Sequence, residues 1–360
     1  MQFIDFRSDT VTEPTPEMLD SMRGAMVGDD VYGDDPTVSS LQKTAASILG
    51  KEDSLFVPSG TFANQLAILT HTRRGDEVVI PENNHIVRYE VGAYAVISAA
   101  GLRTISSDNG AVDIGELQAK IRPDDIHYPR TGLVCMENAH SNGKTVPINN
   151  LKEVYRVSHE KDISVHLDGA RVFNAAVSLG IDVKEISRYC DSVMTCLSKG
   201  LCSPIGSILA GSKSFIASAR KNRKLMGGGM RQAGYLAAPG IISLEKMTKR
   251  LDDDHQNAKY LARKLEETGY FKIAWDRLDI NMVFCTARTG IEDFNQLIEY
   301  LLEKKIKINP IHGDEFRFVT HYWIGKKEID YFIKELKEYQ SKPRNLSGQA
   351  SRTIILKLDY

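Results

Sequence analysis

Short apolar runs alternate with amphipathic segments along most of this chain. Runs rich in β-branched residues predict buried strands at SLFV, VVIP, GLRTIS, GLVCMEN, ISVHLD and DSVMTCLS. Segments of helical periodicity, such as TVSSLQKTAASIL, ELQAKI and INNLKEVYRVSHEK, lie between several of these runs. Strands that alternate with helices predict a mainly parallel sheet covered on both faces, and SPIGSILAGS reads as a strand that returns to it.

The two ends of the chain differ from this pattern. Residues 1–36 are rich in charge and turn formers and predict one short helix, begun by Thr15 and Pro16. The rest of this segment reads as an extended arm, for which a solvated position is the simplest expectation, although Ser8, Asp9 and Tyr32 are candidates to face a ligand.

The last third of the chain predicts a second, smaller unit. After a long charged helix, the strands FKIAW, MVFCTA, IKINP and EFRFVTH alternate with two amphipathic helices, as in a compact α+β module. The final residues are polar and end in a short apolar stretch, so disorder is expected there. The predicted division is an arm at 1–36, a large domain at 37–248, a small domain at 249–341 and a disordered tail at 342–360.

Composition narrows the class of protein. The 360 residues carry a formal net charge of −1, which gives no reason to expect nucleic acid as a partner. The first ten residues lack the apolar core of a signal peptide, and no run reaches the roughly 18 apolar residues of a membrane span, so the expected location is the cytoplasm. Five cysteines without a tight pair favour buried, reduced thiols and no metal site.

Two reactive side chains stand at the ends of neighbouring predicted strands. Asp168 ends ISVHLD, and Lys199 follows DSVMTCLS. Ligands of open α/β sheets bind at this edge. Pyridoxal phosphate requires such a pair, a lysine for the Schiff base and a carboxylate beside the pyridine nitrogen. A surface lysine and a helix-capping aspartate in an ordinary βαβ unit explain the same two residues equally well.

Other positions allow both a chemical and a structural interpretation. In PSGTFAN, Ser59 or Thr61 can cap a helix whose free N–H groups would hold a phosphate, or can simply cap it. His85 follows a strand and can stack on a ring or lie at the surface. Arg317 can bind a carboxylate or solvate an edge strand. The glycine fingerprints of mononucleotide and dinucleotide sites are missing.

A set of strings, taken together, resembles one known family. RSDTVT, VGDDVYGDDPTV, PSGTFAN, DDIHYPRT, HLDGARVFNAA, CLSKGLCSPIGS, GGGMRQAG and FVTH occur over residues 7–321. Their order and approximate spacing are similar to those of the low-specificity L-threonine aldolases, which are fold-type-I pyridoxal phosphate enzymes. The resemblance implies an α/β fold with a mainly parallel seven-stranded sheet, a small C-terminal α+β domain, and a homotetramer of two dimers with shared active sites.

The resemblance also implies a role for each matching residue. Lys199 would form the Schiff base, Asp168 would pair with the pyridine nitrogen, and His85 would stack on the ring. The resemblance also implies that the cofactor phosphate is bound by Ser59, Gly60 and Thr61, and that a phosphate across a subunit boundary is bound by Arg231 and Lys224. The substrate carboxylate would be bound by Ser8, Arg171 and Arg317, of which Arg171 would also contact the cofactor. Tyr32 would contact the substrate, and His127 would lie near the substrate hydroxyl.

The implied reaction is retro-aldol cleavage of L-threonine or L-allo-threonine to glycine and acetaldehyde. A base must remove the β-hydroxyl proton, and histidine suits this near neutral pH. His85 and His127 are the two candidates, directly or through water. β-Elimination or transamination with the same cofactor, and a non-catalytic binding protein, are the competing interpretations.

Overall fold

The computed structural model describes residues 3–288, 294–311 and 313–341. The predicted tail at 342–360 lies outside these residues. Seven strands of the described chain form the large sheet: β1 (Asp53–Val57), β2 (Glu77–Pro81), β3 (Gly101–Ile105), β4 (Thr131–Glu137), β5 (Ser164–Asp168), β6 (Ser192–Cys196) and β7 (Ser207–Gly211).

The sheet is mainly parallel, as the strand and helix pattern predicts. Its strand order is β1-β7-β6-β5-β4-β2-β3, in which β7 runs antiparallel to both of its neighbours. Nearly every residue of the inner strands is buried, because helices cover both faces. The predicted α/β class and seven-stranded sheet are confirmed.

Helices connect these strands and cover them. The three predicted helices TVSSLQKTAASIL, ELQAKI and INNLKEVYRVSHEK lie close to their predicted places, whereas the short helices around residues 85–98 and 172–187 have no counterpart in the sequence predictions. The α-helices are Pro16–Arg23, Pro36–Leu49, Gly60–His71, His85–Arg88, Ala93–Ser98, Ile114–Lys120, Ile148–His159, Val172–Leu179, Val183–Ser187, Lys213–Leu225, Gly234–Glu245, Leu251–Glu267, Phe294–Glu303 and Lys326–Ser341. None of the helices in the described ranges is both long and apolar enough to cross a membrane.

A second sheet and core follow the helix Leu251–Glu267. Strands β8 (Phe271–Ile273), β9 (Met282–Ala287) and β10 (Glu315–Val319) form an antiparallel sheet in the order β8-β9-β10. Buried aromatic and aliphatic side chains from these strands and from Lys326–Ser341 make a hydrophobic cluster separate from that of the large sheet. The separate core agrees with a small domain, and the boundary at residue 249 stays a prediction.

The solvated position expected for the N-terminal arm is wrong for residues 4–12, whereas several side chains between residues 19 and 34 are exposed. Ile4–Asp5 pairs in parallel with Ile306–Lys307, which takes the segment IKINP out of the three-stranded sheet. Phe6 is fully buried in the second core. The hydroxyl of Thr12 donates to the backbone carbonyl of Lys199 at 2.7 Å. The arm therefore joins the second core to the edge of the large sheet where Lys199 lies.

One buried aspartate fastens the end of the arm to two helices. Asp35 accepts hydrogen bonds from the N–H groups of Val38 at 2.9 Å, Gly234 at 2.8 Å and Gly28 at 3.3 Å. It thus caps Pro36–Leu49 and holds the start of Gly234–Glu245. Asp113 is an exposed cap by comparison, and it accepts one bond, from Glu116 at 2.7 Å.

We predict that Asp35→Ala destabilises the protein much more than Asp113→Ala. Loss of a simple N-cap costs about 1 kcal/mol. Removal of Asp35 also leaves further N–H groups without an acceptor, at about 1–3 kcal/mol for each buried one. Thermal unfolding should therefore show a clearly larger fall in Tm for Asp35→Ala. Equal falls would mean that Asp35 acts as a cap only.

Candidate active site

Polar side chains from six strands meet at one edge of the large sheet. The carboxyl ends of β1, β2, β4, β5 and β6 lie at this edge, together with the start of the antiparallel β7. The residues found there, in chain order, are Ser59, His85, Glu137, Asp168, Lys199 and Ser207. The strand directions therefore bring together Asp168, Lys199, His85 and the Ser59 turn.

Asp168 is a buried carboxylate, only 2 % exposed, with two hydrogen-bond donors. Asn64 Nδ2 donates to Oδ2 at 2.8 Å, and the N–H of Ala170 donates to Oδ1 at 3.0 Å. Both bonds favour the ionised form. The neighbouring strand ends in Glu137, whose pKa is raised by burial and by the charge of Asp168.

His85 is held from both its backbone and its ring. Its backbone N–H donates to Glu137 Oε2 at 2.7 Å, and its Nδ1 lies 3.0 Å from Glu90 Oε1. Burial opposes a charge on the ring, but the hydrogen bond to Glu90 and the charge of Asp168 raise the pKa of His85 above its usual value. A ring in this state can exchange a proton near neutral pH.

Two residues of this cluster, Asn64 and Glu90, were not predicted. Asn64 lies inside the helix Gly60–His71 and donates to Glu90 Oε1 at 2.8 Å as well as to Asp168. Gln65 donates to Glu90 Oε2 at 2.6 Å. The one signal in the sequence is a pair of adjacent amides inside an otherwise apolar helix, which implies polar partners but does not say which.

Lys199 lies just beyond β6 with a partly exposed side chain. Its backbone carbonyl is bound by Thr12, while its ε-amino group makes no hydrogen bond to the described residues. A side chain with a fixed backbone and an unengaged amine suits a group that must form a covalent bond to a ligand.

Arg171 pairs with Asp9 from the arm, a contact that spans 162 positions of sequence. Its Nε donates to Asp9 Oδ2 at 2.8 Å and its Nη2 to Oδ1 at 2.5 Å. Burial alone would raise the pKa of Asp9, but Arg171 and then Lys199 hold it well below its usual range. Nη1 of Arg171 stays without a partner among the described residues.

Arg317 enters the same region from the second sheet. Burial and then the charge of Arg171 lower the pKa of its guanidinium. Nη2 of Arg317 donates a long hydrogen bond, of 3.3 Å, to the backbone carbonyl of Arg7. Ser8 lies between Arg7 and Asp9, and its hydroxyl accepts from the N–H of Thr10.

The turn after β1 forms a seat that an anion fits. Ser59 Oγ accepts from the N–H of Phe62 at 3.2 Å and so starts the helix Gly60–His71, while Thr61 is exposed in its first turn. A Cβ on Gly60 would lie 2.8 Å from Cys196 Sγ, too close for any larger residue. Ser207 Oγ, buried nearby, has no hydrogen-bond partner among the described residues. The free helix N–H groups and this hydroxyl fit the phosphate of pyridoxal phosphate.

Four candidate residues do not join this cluster within one chain. His127 is exposed in the loop before β4, at the opposite edge of the sheet, where Arg130 pairs with Asp76. Tyr32 is 78 % exposed. Lys224 lines a basic cavity of about 520 Å³, and Arg231 pairs with Asp29 at 2.8 Å.

The acidic side chains of the cluster are already satisfied by donors. His85, Glu90 and Asp168 place ligand atoms within 4.8 Å of one another, a spacing that a metal ion can bridge. The amide of Asn64, however, already donates to both carboxylates. The absence of a metal stays a prediction.

Comparison with known proteins gives the same picture. The model of the β-eliminating lyase family matches residues 5–288. A low-specificity L-threonine aldolase of Escherichia coli K12 is 44 % identical over 91 % of this chain and 96 % of its own, and one of Arabidopsis thaliana is 37 % identical over 92 % and 95 %. The solved threonine aldolase of Leishmania major, at 20 % identity, has a TM-score of 0.80 over 94 % of this chain and 100 % of its own, which supports the fold.

The sheet, the Asp168–Lys199 pair and the anion seat define a fold-type-I enzyme that depends on pyridoxal phosphate, as the sequence predicts. It is a lyase. Within this class, the chain belongs to the β-eliminating lyase family and, by its close relatives, to the low-specificity L-threonine aldolases. The predicted family and cofactor are confirmed.

Proposed function

We propose that this enzyme cleaves L-threonine and L-allo-threonine to glycine and acetaldehyde. The observation that carries the proposal is the meeting of Asp168, Lys199 and His85 at one sheet edge, in a chain whose relatives are named low-specificity L-threonine aldolases. When bound, pyridoxal phosphate supplies a ring that accepts the electron pair of the broken Cα–Cβ bond.

The chain's own residues would prepare the site for this reaction. Asn64 and Ala170 stabilise the ionised Asp168, which can then hold a proton on the pyridine nitrogen. Lys199 supplies the amine that binds the cofactor. Ser59, Gly60 and Thr61 would hold its phosphate through helix N–H groups and hydroxyls.

Two guanidinium groups support the binding of a substrate carboxylate. Among the described residues, Arg171 has one nitrogen free of hydrogen bonds, and Arg317 has a single long bond to a carbonyl. Excess positive charge at this point attracts an anion, and guanidinium geometry matches a carboxylate. Fixing the carboxylate would set the Cα–Cβ bond perpendicular to the cofactor ring. The resemblance also places Ser8 and Tyr32 at the substrate, and both residues belong to the N-terminal arm.

Of the two candidate bases, His85 has the stronger support. Its ring lies in the Asp168 cluster, and, although burial opposes a charge, the hydrogen bond to Glu90 raises its pKa and so favours the uptake of a proton. His127 lies at the opposite edge of its own chain and would have to serve a site in a neighbouring one.

We also propose a homotetramer built from two dimers with shared active sites. Lys224, Arg231, His127 and Tyr32 match functional positions of the family but lie away from the site of their own chain. Large apolar side chains near them are exposed, with Ile126 at 94 % and Leu225 at 77 %. A neighbouring subunit would cover these side chains and use the polar ones. The five cysteines are buried and unpaired, which supports a reducing compartment such as the cytoplasm.

A substrate panel tests the activity. L-threonine and L-allo-threonine should each yield glycine and acetaldehyde, with kcat/KM values within about tenfold, because a flexible or water-bridged contact to the hydroxyl costs only about 1–2 kcal/mol. D-threonine should not be cleaved, because the anchored Cα would place a different bond perpendicular to the ring. Ammonia and a keto acid as products would instead show β-elimination, and a need for an amino-group acceptor would show transamination.

Lys199→Ala is the control for this panel. It should lose the visible absorbance of the bound cofactor and several orders of magnitude of turnover, as expected when a covalent catalytic group is removed. Cleavage at a near-normal rate by this variant would contradict the proposed site.

The oligomer should also be visible in solution. Light scattering should give four times the chain mass of 40.2 kDa. Arg231→Ala and Lys199→Ala, each impaired alone, should regain part of the activity when their subunits are mixed, because each shared site would take residues from two chains. A fully active monomer, or no regain in mixed oligomers, would contradict the proposal.

A further inference from the structure

Glu90 is a buried carboxylate to which the sequence and the family resemblance assign no role. It is 1 % exposed, and three donors surround it: Asn64 Nδ2 at 2.8 Å, Gln65 Nε2 at 2.6 Å and His85 Nδ1 at 3.0 Å. A fully bonded carboxylate beside a partly exposed imidazole orients that ring.

A chain of hydrogen bonds determines which atoms donate. Burial lowers the pKa of His166 to about 3 and that of His71 to about 4, so both rings are neutral. The two amide hydrogens of Asn64 donate to Glu90 and Asp168. Its Oδ1 must therefore accept from His166 Nε2, which lies 3.1 Å away. His166 Nδ1 then accepts from the Ser192 hydroxyl at 2.8 Å, whose oxygen accepts from His71 Nε2.

This assignment leaves one arrangement for His85. Glu90 Oε1 offers only lone pairs, so the ring proton of a neutral His85 lies on Nδ1. Nε2 then carries a free lone pair, and it has no hydrogen-bond partner among the described residues. The side chain of His85 is 35 % exposed, so a ligand can reach it.

We propose that Glu90 is a positioning residue that holds His85 in the Nδ1–H form, with Nε2 as the base for the substrate β-hydroxyl. The inference rests on the proposed aldol cleavage. The proton passes from the hydroxyl oxygen to Nε2, the O–H electron pair becomes the second bond of the aldehyde, and the Cα–Cβ pair stays at Cα. Cα later takes up a proton from solvent to give glycine, and the imidazolium returns its proton to solvent.

Four charged groups act on His85. Glu90, Asp168 and Glu137 favour its charged form, and Lys199 opposes it, as does burial. Since a base works only when deprotonated, activity should fall as the pH drops through the pKa of His85. Removing the charge of Glu90 lowers that pKa, so the acidic limb of the kcat/KM profile should move to lower pH.

Glu90→Gln is the variant that the structure accommodates. The new side chain keeps one oxygen for Asn64 and His85 and places an amide N–H₂ toward Gln65. Gln65 Oε1 is buried without a partner, so a flip of the Gln65 amide turns this contact into a hydrogen bond. The substitution therefore removes the charge with little change in packing. Glu335→Gln is a matched control, because Glu335 is 3 % exposed and bonded to Tyr300 and Lys304 in the second core.

The first measurement is the pH dependence of threonine cleavage by the full-length enzyme with its cofactor. Glu90→Gln should lower kcat by about 10–100-fold with KM nearly unchanged, part of the 10²–10⁴-fold that a general base contributes. Its acidic limb should move down by about one pH unit. Glu335→Gln should match the wild type. An unmoved limb for Glu90→Gln in an active enzyme would overturn the inference and leave the proposed function standing.

The second measurement does not depend on activity. NMR of ¹⁵N-histidine-labelled enzyme, with His85 assigned by its loss in His85→Asn, should show a protonated Nδ1 in wild type and a lower pKa in Glu90→Gln. A proton on Nε2 of neutral His85 would overturn the inference. A wild-type enzyme that shows the expected NMR spectrum but does not cleave threonine would refute the proposed function instead.

Discussion

The burial of one negative charge, on Asp168, is the constraint on which the site depends. A carboxylate removed from water is costly unless donors surround it. Asn64 and the N–H of Ala170 supply these donors, and Asn64 is in turn held by His166, Ser192 and His71. The rings in this chain must be neutral for the donors to point toward Asp168, and their burial ensures it. A core hydrogen-bond network thus maintains a negative charge at the sheet edge where Lys199 also lies.

The arm and the second core complete the site around this charge. Asp9 crosses from the arm to neutralise Arg171, and Arg317 approaches from the second sheet. Each contact joins segments far apart in sequence, so the region around Arg171 and Arg317 forms only when the arm, the large sheet and the small sheet are packed together. Asp168, His85 and the Ser59 turn lie on the large sheet, and Thr12 of the arm also binds the backbone carbonyl of Lys199.

Much of the site could be predicted because strand ends are local features. Asp168, Lys199 and the Ser59 turn follow apolar runs directly, and parallel strands bring their carboxyl ends to one edge. Sequence patterns could not predict the roles of Asn64 and Glu90 or the Asp9–Arg171 pair, because tertiary packing determines the partners of these side chains. The position of His127 away from the site could also have been predicted, because a loop that precedes a parallel strand lies at the amino end of the strands, opposite the edge that carries Asp168. The solvated arm was a wrong expectation for residues 4–12, because the few apolar side chains there, such as Ile4 and Phe6, alternate with charged residues and gave little sign of burial.

The central claim is that the ionised Asp168 gives this site its chemistry, and Asp168→Asn tests it most directly. The amide is nearly the same size but carries no charge. The variant should still bind pyridoxal phosphate and lose at least about 100-fold in kcat for threonine cleavage, the usual loss for a preorganised electrostatic group. Pyridoxal phosphate methylated at the ring nitrogen, which is permanently cationic, should restore part of the rate. A variant with unchanged kcat would contradict the account.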